Sequence, residues 1–321
     1  MKKKISELYA KVTENVGKVI VGKDNVTELM LISLLCGGHM LIEDVPGTGK
    51  TMLVKSFAAS LSCTNSRIQF TPDLLPSDIT GINFFNMKLS EFRFVPGPVF
   101  SNIVLADEIN RATPKTQAGL LECMEEKQAT IDGKTYPLSE PFMVIATQNP
   151  IENMGVFPLP EAQLDRFLIK TSMNYPDHSE SVEILDRFCS GNPLSALQPV
   201  ADADEIAECR KELDEVFVHR DIMEYITSIC EATRKYENVV LGVSPRGAIC
   251  LMKVAKGFAA VRGRDHVIPD DVKSAAIPTL PHRLVMTSAA RIKKDSAEAV
   301  IKDIIDHTSV PTESELGWSR G

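Results

Sequence analysis

The stretch Asp44-Val45-Pro46-Gly47-Thr48-Gly49-Lys50-Thr51 stands between an apolar strand, Met40 to Ile42, and a helical pattern running from Thr51 to Leu61. Glycines at 47 and 49 let successive backbone N–H groups turn inward around an anion, and the helix that follows adds the positive end of its dipole. In that setting Lys50 reaches the outer phosphate oxygens of a nucleotide, and Thr51 offers a hydroxyl to Mg2+. The pattern departs from G-x-x-x-x-G-K-[ST] at its first position, where Asp44 replaces glycine, so that side chain is expected to point away from the phosphates. With a further strand predicted over Arg67 to Phe70, the segment reads as a βαβ unit.

The surrounding pattern extends this unit into a fold class. Before the loop, Val26, Leu29, Met30, Ile32 and Leu35 recur at helical spacing, and Gly37-Gly38 ends the helix. After it, Ile103 to Ala106, Phe142 to Ala146 and the short Leu168-Ile169 are continuous apolar runs, and Thr113 with Pro114 marks an N-cap and first helical turn. Apolar strands alternating with helices predict an α/β fold, a parallel sheet sandwiched by helices. Two hairpins interrupt it. One spans Ile82 to Phe94 and closes near Lys88; the other spans Thr130 to Tyr136, with Asp132-Gly133 signalling a type I′ turn. Beyond Tyr175-Pro176 the periodic segments Ile206–Val216, Ile222–Thr233, Ala248–Val261 and Ala297–Ile305 are all helical. The expected division is a nucleotide-binding α/β domain over 1–178, an all-α lid domain over 179–311 and a loose polar tail over 312–321.

A second chemical site is Ile103-Val104-Leu105-Ala106-Asp107-Glu108, four apolar residues delivering two carboxylates at the carboxyl end of a strand. Ligands of open α/β sheets sit beyond such ends, so Asp107 is expected to hold Mg2+ and Glu108 to polarise an attacking water. Asn149, just past the third strand, has an amide suited to the γ-phosphate or that water; alone it reads as a turn residue. Arg166 offers a cation for a neighbouring subunit's transition state, or a surface partner for Asp165. Arg246 projects from the first turn of a helix capped by Ser244, placed to report nucleotide state to the lid.

Composition narrows the partners. The 321 residues carry a formal charge of -8, and the pI near 5.4 gives no broad footprint for nucleic acid. The hairpins add only Lys88, Arg93 and Lys134. Seven cysteines lie singly, without C-x-x-C spacing, and read mostly as buried small hydrophobes. His39 and His282 lack metal-ligand spacing, and Met30, Met124, Met252 and Met286 read as core fillers. No Asn-Lys-x-Asp guanine motif occurs. The opening Met1-Lys2-Lys3-Lys4 lacks an apolar stretch behind it, and Leu29 to Ile42 is too short and broken to span a bilayer. A cytoplasmic chain is expected.

Together these motifs resemble AAA+ ATPases. The string Asp107-Glu108-Ile109-Asn110-Arg111-Ala112, then Pro114-Lys115-Thr116-Gln117, Leu120-Leu121-Glu122 and Met124-Glu125-Glu126, is similar to the MoxR family. So are Phe94-Val95-Pro96-Gly97-Pro98-Val99-Phe100, Leu159 to Phe167, Ser244-Pro245-Arg246, Arg262-Gly263-Arg264, Pro269-Asp270-Asp271-Val272 and His282-Arg283. The resemblance implies ATP and Mg2+ as cofactors. It makes Asn149 sensor 1, Arg166 the arginine finger and Arg246 sensor 2, acting in cis or in trans. It sets Val21-Gly22 beside the adenine, with Pro46, Gly47, Thr48, Gly49, Lys50, Thr51 and Met52 around the phosphates. It also implies a nucleotide-promoted homo-oligomer, a hexameric ring, that remodels or matures client proteins, with a von Willebrand factor A domain partner. Two other readings stand beside it: a nucleic-acid motor, and a switch that binds ATP without turnover.

Overall fold

The computed structural model describes residues 4–311 apart from 44, 46, 89, 150–154, 190, 192, 294 and 295, and only the backbone of 291–293. The orientation expected of Asp44, the place of Pro46 and the character of 312–321 lie outside the described residues.

Two helices, α1 (Lys4–Gly17) and α2 (Asp24–Leu35), lead into β1 (Met40–Glu43). The phosphate-loop motif then enters α3 (Lys50–Ser60), followed by β2 (Asn65–Gln69) and the single turn α4 (Pro76–Thr80). The first hairpin is β3 (Gly81–Asn86) with β4 (Glu91–Pro96); after it come β5 (Ile103–Asp107) and α5 (Pro114–Glu126). The second hairpin is β6 (Gln128–Ile131) with β7 (Lys134–Pro137), leading to β8 (Met143–Gln148), α6 (Glu161–Leu164), β9 (Ile169–Thr171) and α7 (His178–Cys189). The five-stranded sheet has the order β2-β5-β8-β1-β9. Strands β2, β5, β8 and β1 run parallel, in a register that sets Gln69 opposite Asp107 and Glu43 opposite Gln148. Every residue of β5 is buried, as the unbroken apolar run requires of a strand covered on both faces. The carboxyl ends of β1, β5 and β8 therefore meet at one edge, where the loop after β1 also lies.

The core on one side of the sheet joins Leu41, Val104 and Val144 to Leu120 and Leu121 of α5, to Ala129 and Ile131 of the second hairpin, and to Phe167. The two hairpins also meet each other. Phe94 stacks on Tyr136 with ring centroids 4.3 Å apart, and the Asn83 amide donates to Asp132 at 3.0 Å. Asp132 and Gly133 have φ of +51° and +77°, the pair of positive values that a type I′ turn demands. Thr113 does occupy the N-cap of α5, but its hydroxyl lies 3.2 Å from that of Thr116 and makes no bond to a backbone amide.

Family motifs resolve here into structural bonds. Gln117 is buried, and its Nε2 lies within 3.1 Å of the carbonyls of Ile109, Ala112 and Phe157, so one side chain ties the segment after β5 to residue 157. His39 is buried as a neutral imidazole: Nε2–H donates to the Met124 carbonyl at 3.0 Å, and Nδ1 accepts the Val144 N–H at 2.9 Å. Burial lowers its pKa to about 4, and the nearby Lys127 charge adds to the shift. Met30, Met124 and Met286 are buried and Met252 half-buried, while Cys63, Cys123, Cys209 and Cys230 are buried thiols.

The chain divides into two compact units, one of Leu8–Phe167 and Thr171–Ala207, the other of Met1–Glu7, Leu168–Lys170 and Glu208–Gly321. The elements after α7 are α8 (Ala203–Asp214), α9 (Arg220–Lys235), β10 (Val239–Leu241), α10 (Pro245–Val261), α11 (Pro269–Thr279), β11 (Val285–Met286), α12 (Ser288–Lys293) and α13 (Ala297–His307). Helix α9 buries Ile222, Ile226 and Ile229 along one stripe, each contributing about 1.5–3 kcal/mol of apolar burial. Asp271 is fully buried and accepts from Arg262 at 2.8 Å, from Arg264 Nη2 at 2.6 Å and from the Ile268 N–H at 3.0 Å. That carboxylate, at the start of α11, explains Arg262, Arg264 and Asp271 as one structural set. The antiparallel pair β10–β11 is a strand element that the helical periodicity of this region did not announce. Among the described residues, no helix is long and apolar enough to cross a membrane.

Candidate functional site

The turn from β1 into α3 is made by glycines in the left-handed region. Gly47 has φ +85° and Gly49, the N-cap of α3, φ +88°. A Cβ on either would meet nothing within 4 Å, so what these positions require is backbone conformation rather than space. Lys50 Nζ donates to the Val45 carbonyl at 2.7 Å, which holds the ammonium against the loop it follows.

An open cleft of about 460 Å3 lies over this turn. Its walls are Gly47 to Met52, Arg67 and Gln69 of β2, Asp107 and Glu108 at the end of β5, and Thr147, Gln148 and Asn149 at the end of β8. The three separate motifs of the sequence thus open onto one cavity.

The carboxylates in it are tightly held. Thr147 Oγ1 donates to Asp107 Oδ1 at 2.6 Å and accepts the Glu108 N–H at 2.9 Å. Asp107 Oδ2 takes both Nε and Nη2 of Arg67, at 3.1 and 2.6 Å. Glu108 adopts φ +56°, ψ +49°, a conformation that costs a side-chain-bearing residue free energy and is concentrated at functional sites. Its Oε2 accepts from Gln69 Nε2 at 2.8 Å and forms an ion pair with Arg111 at 3.0 Å. The Thr51 hydroxyl and the Asp107 carboxylate are hard oxygen donors on one cleft, and Asp107 already draws a cation, Arg67. This small set fits Mg2+, which takes one or two protein oxygens and completes its shell with phosphate and water.

Of the other expected residues, Asn149 is buried and lines the cleft. Arg166 follows α6 and pairs with Glu125 at 3.2 Å rather than lining this cleft. Arg246 is exposed on the first turn of α10, in the other unit, where the Ser244 hydroxyl accepts the Gly247 N–H at 3.2 Å. Val21 is buried and Gly22 has φ +67°. A Cβ on Gly22 would come within 1.7 Å of Glu180 Oε1. Glu180 in turn closes a capping box at the start of α7, accepting the Asp177 N–H at 3.0 Å while Asp177 Oδ1 accepts the Glu180 N–H at 2.8 Å. The Glu180 N–H first, and the Ser179 hydroxyl after it, hold the Asp177 carboxyl below its usual pKa.

Sequence reasoning had passed over Arg67, Gln69 and Thr147. The alternation Arg67-Ile68-Gln69-Phe70 sets the two polar side chains on one face of β2, which is the signal that points to them.

Comparison with known proteins agrees with this geometry. The profile of the ATPase family associated with various cellular activities (AAA) matches residues 39–169, and that of the AAA lid domain matches 231–304. The uncharacterized protein YeaC of Bacillus subtilis is 48% identical, over 95% of this chain and 96% of that protein. Chaperone MoxR1 of Mycobacterium tuberculosis is 43% identical over 92% of this chain and 80% of its own length, and protein MoxR of Paracoccus denitrificans 30% identical over 90% and 91%. The crystal structure of a candidate ATPase from Cytophaga hutchinsonii superposes with a TM-score of 0.90 at 39% identity, covering 96% of this chain and 97% of that one. By likeness carried along nearly its whole length, the chain belongs to the MoxR family of AAA+ ATPases.

Proposed function

We propose that this chain hydrolyses ATP with Mg2+ and uses the turnover, as a nucleotide-promoted homo-oligomeric ring of six subunits, to remodel or mature client proteins. The observation that carries the catalytic part is the convergence of Lys50, Thr51, Asp107, Glu108 and Asn149 on one cleft.

In this reading the backbone N–H groups of Gly47 to Thr51 and the Lys50 ammonium bind the β- and γ-phosphates, and Thr51 and Asp107 hold the metal. Mg2+ bound there neutralises charge on the phosphates. Glu108 accepts a proton from the attacking water, and the Asn149 amide orients that water or the γ-phosphate. Because Arg166 is paired with Glu125 outside the cleft, it suits a role in trans, entering a neighbour's site to stabilise transition-state charge. Arg246 would sense the nucleotide from the lid. Val21, Gly22, Pro46 and Met52 would surround the adenine and the α-phosphate side. The domain boundary near residue 178, a cytoplasmic location and a von Willebrand factor A domain partner belong to the same proposal. The client role is supported by the chaperone name of the mycobacterial relative.

The test is Glu108→Gln. It should bind ATP, release no phosphate over many turnovers, and form ATP-dependent oligomers by light scattering. A variant that stays monomeric with saturating ATP and Mg2+ would remove the ring from the reading.

A further inference from the structure

The phosphate loop and the two carboxylates leave Arg67 unexplained. It lies on β2, an edge strand of the sheet, two residues before Gln69, which stands in register with Asp107. Its guanidinium places both Nε and Nη2 on a single oxygen, Asp107 Oδ2, at 3.1 and 2.6 Å. The other oxygen, Oδ1, is bound by the Thr147 hydroxyl, which is also fixed by the Glu108 N–H.

The two oxygens are therefore held in different ways. Oδ1 is locked into the junction of β5 and β8 by a short side chain that also bonds backbone. Oδ2 is covered by the end of a long side chain that is 48% exposed, so the guanidinium can withdraw and be rehydrated at little cost. We propose that Arg67 is a resident counter-ion that competes with Mg2+ for Asp107, so that loading the metal exchanges one cation for another. The proposal rests on the reading of Asp107 as the magnesium carboxylate. Arg67 Nη2 also donates to Gln69 Oε1 at 2.6 Å, and Gln69 donates to Glu108. The exchange at Asp107 is thereby linked to the hydrogen bond that restrains Glu108.

The experiment follows binding of a mant-labelled adenine nucleotide at stepped free Mg2+, starting in EDTA. Arg67→Met removes the charge and keeps an unbranched side chain. Its midpoint for Mg2+ is expected to fall about three- to fivefold, the upper range of what a half-exposed ion pair is worth. Arg67→Lys keeps the charge without the two-pronged contact and is expected to fall between. An unchanged or higher midpoint for Arg67→Met, with nucleotide still bound, overturns the exchange and leaves the ATPase reading intact. Absence of nucleotide binding by folded wild-type protein overturns both. If circular dichroism shows Arg67→Met unfolded, Arg67→Lys decides, and a wild-type midpoint there overturns the proposal.

Discussion

Acid should weaken the α/β unit through one buried imidazole. His39 is neutral in the fold, its Nε2–H given to Met124 and its Nδ1 taken by Val144, and its pKa lies at about 4 against 6.5 for the free side chain. A depressed histidine pKa means that the unfolded chain binds the proton first. The stabilisation is complete above pH 6.5 and is lost as pH falls through the window toward 4. The gap between the two values corresponds to about 3 kcal/mol at most, and to about 2 kcal/mol between pH 7.5 and 5. His39→Gln supplies one acceptor and one donor but does not titrate. It is expected to be less stable than wild type at pH 7.5, by about 1–2 kcal/mol for poorer bonds, yet to lose about 2 kcal/mol less than wild type on going to pH 5. Urea unfolding at both pH values, followed by far-ultraviolet circular dichroism, measures this. An equal acid loss in the two proteins would refute the assignment of that loss to His39.

Three further outcomes are expected. Lys50→Ala should abolish binding of mant-ATP by fluorescence titration while leaving the unfolding midpoint within about 0.5 kcal/mol of wild type, as for an ordinary surface change. Asp271→Ala should destabilise its unit by about 3 kcal/mol or more by urea titration, because it strips the shared partner from Arg262 and Arg264; a loss below about 1 kcal/mol, the range of exposed pairs, would show the set to be solvated. Gly22→Ala should cost about 1–3 kcal/mol of stability from its positive φ and the approach to Glu180, with full retention of stability counting against that packing.

Much of this architecture is legible residue by residue. Buried parallel strands announce themselves as unbroken apolar runs, so β5 and β8 were readable, and the Asp132-Gly133 turn carries its own conformational signature. The loop over 47–51 is readable because glycine and lysine sit where the strand stops and the helix starts. What escaped is what depends on partners distant in the chain. Arg67 meets Asp107 forty positions away through a strand register that no local pattern encodes, and the same holds for Thr147. The pair β10–β11 escaped because three and two residues are too few to show a period, and Val240 and Leu241 are exposed. Helix α1 does carry a readable stripe at helical spacing, Ile5, Leu8, Val12 and Val16, all buried.

The aromatic contact between the hairpins has a mechanical side. Phe94 lies flat on Tyr136 and Asn83 grips Asp132, so the second hairpin, its turn included, is held against the body of the first. From β4 the chain needs only residues 97–102 to reach β5, and from β7 only 138–142 to reach β8. Both hairpins are thus tethered by short segments to the two strands whose far ends carry Asp107, Glu108 and Asn149.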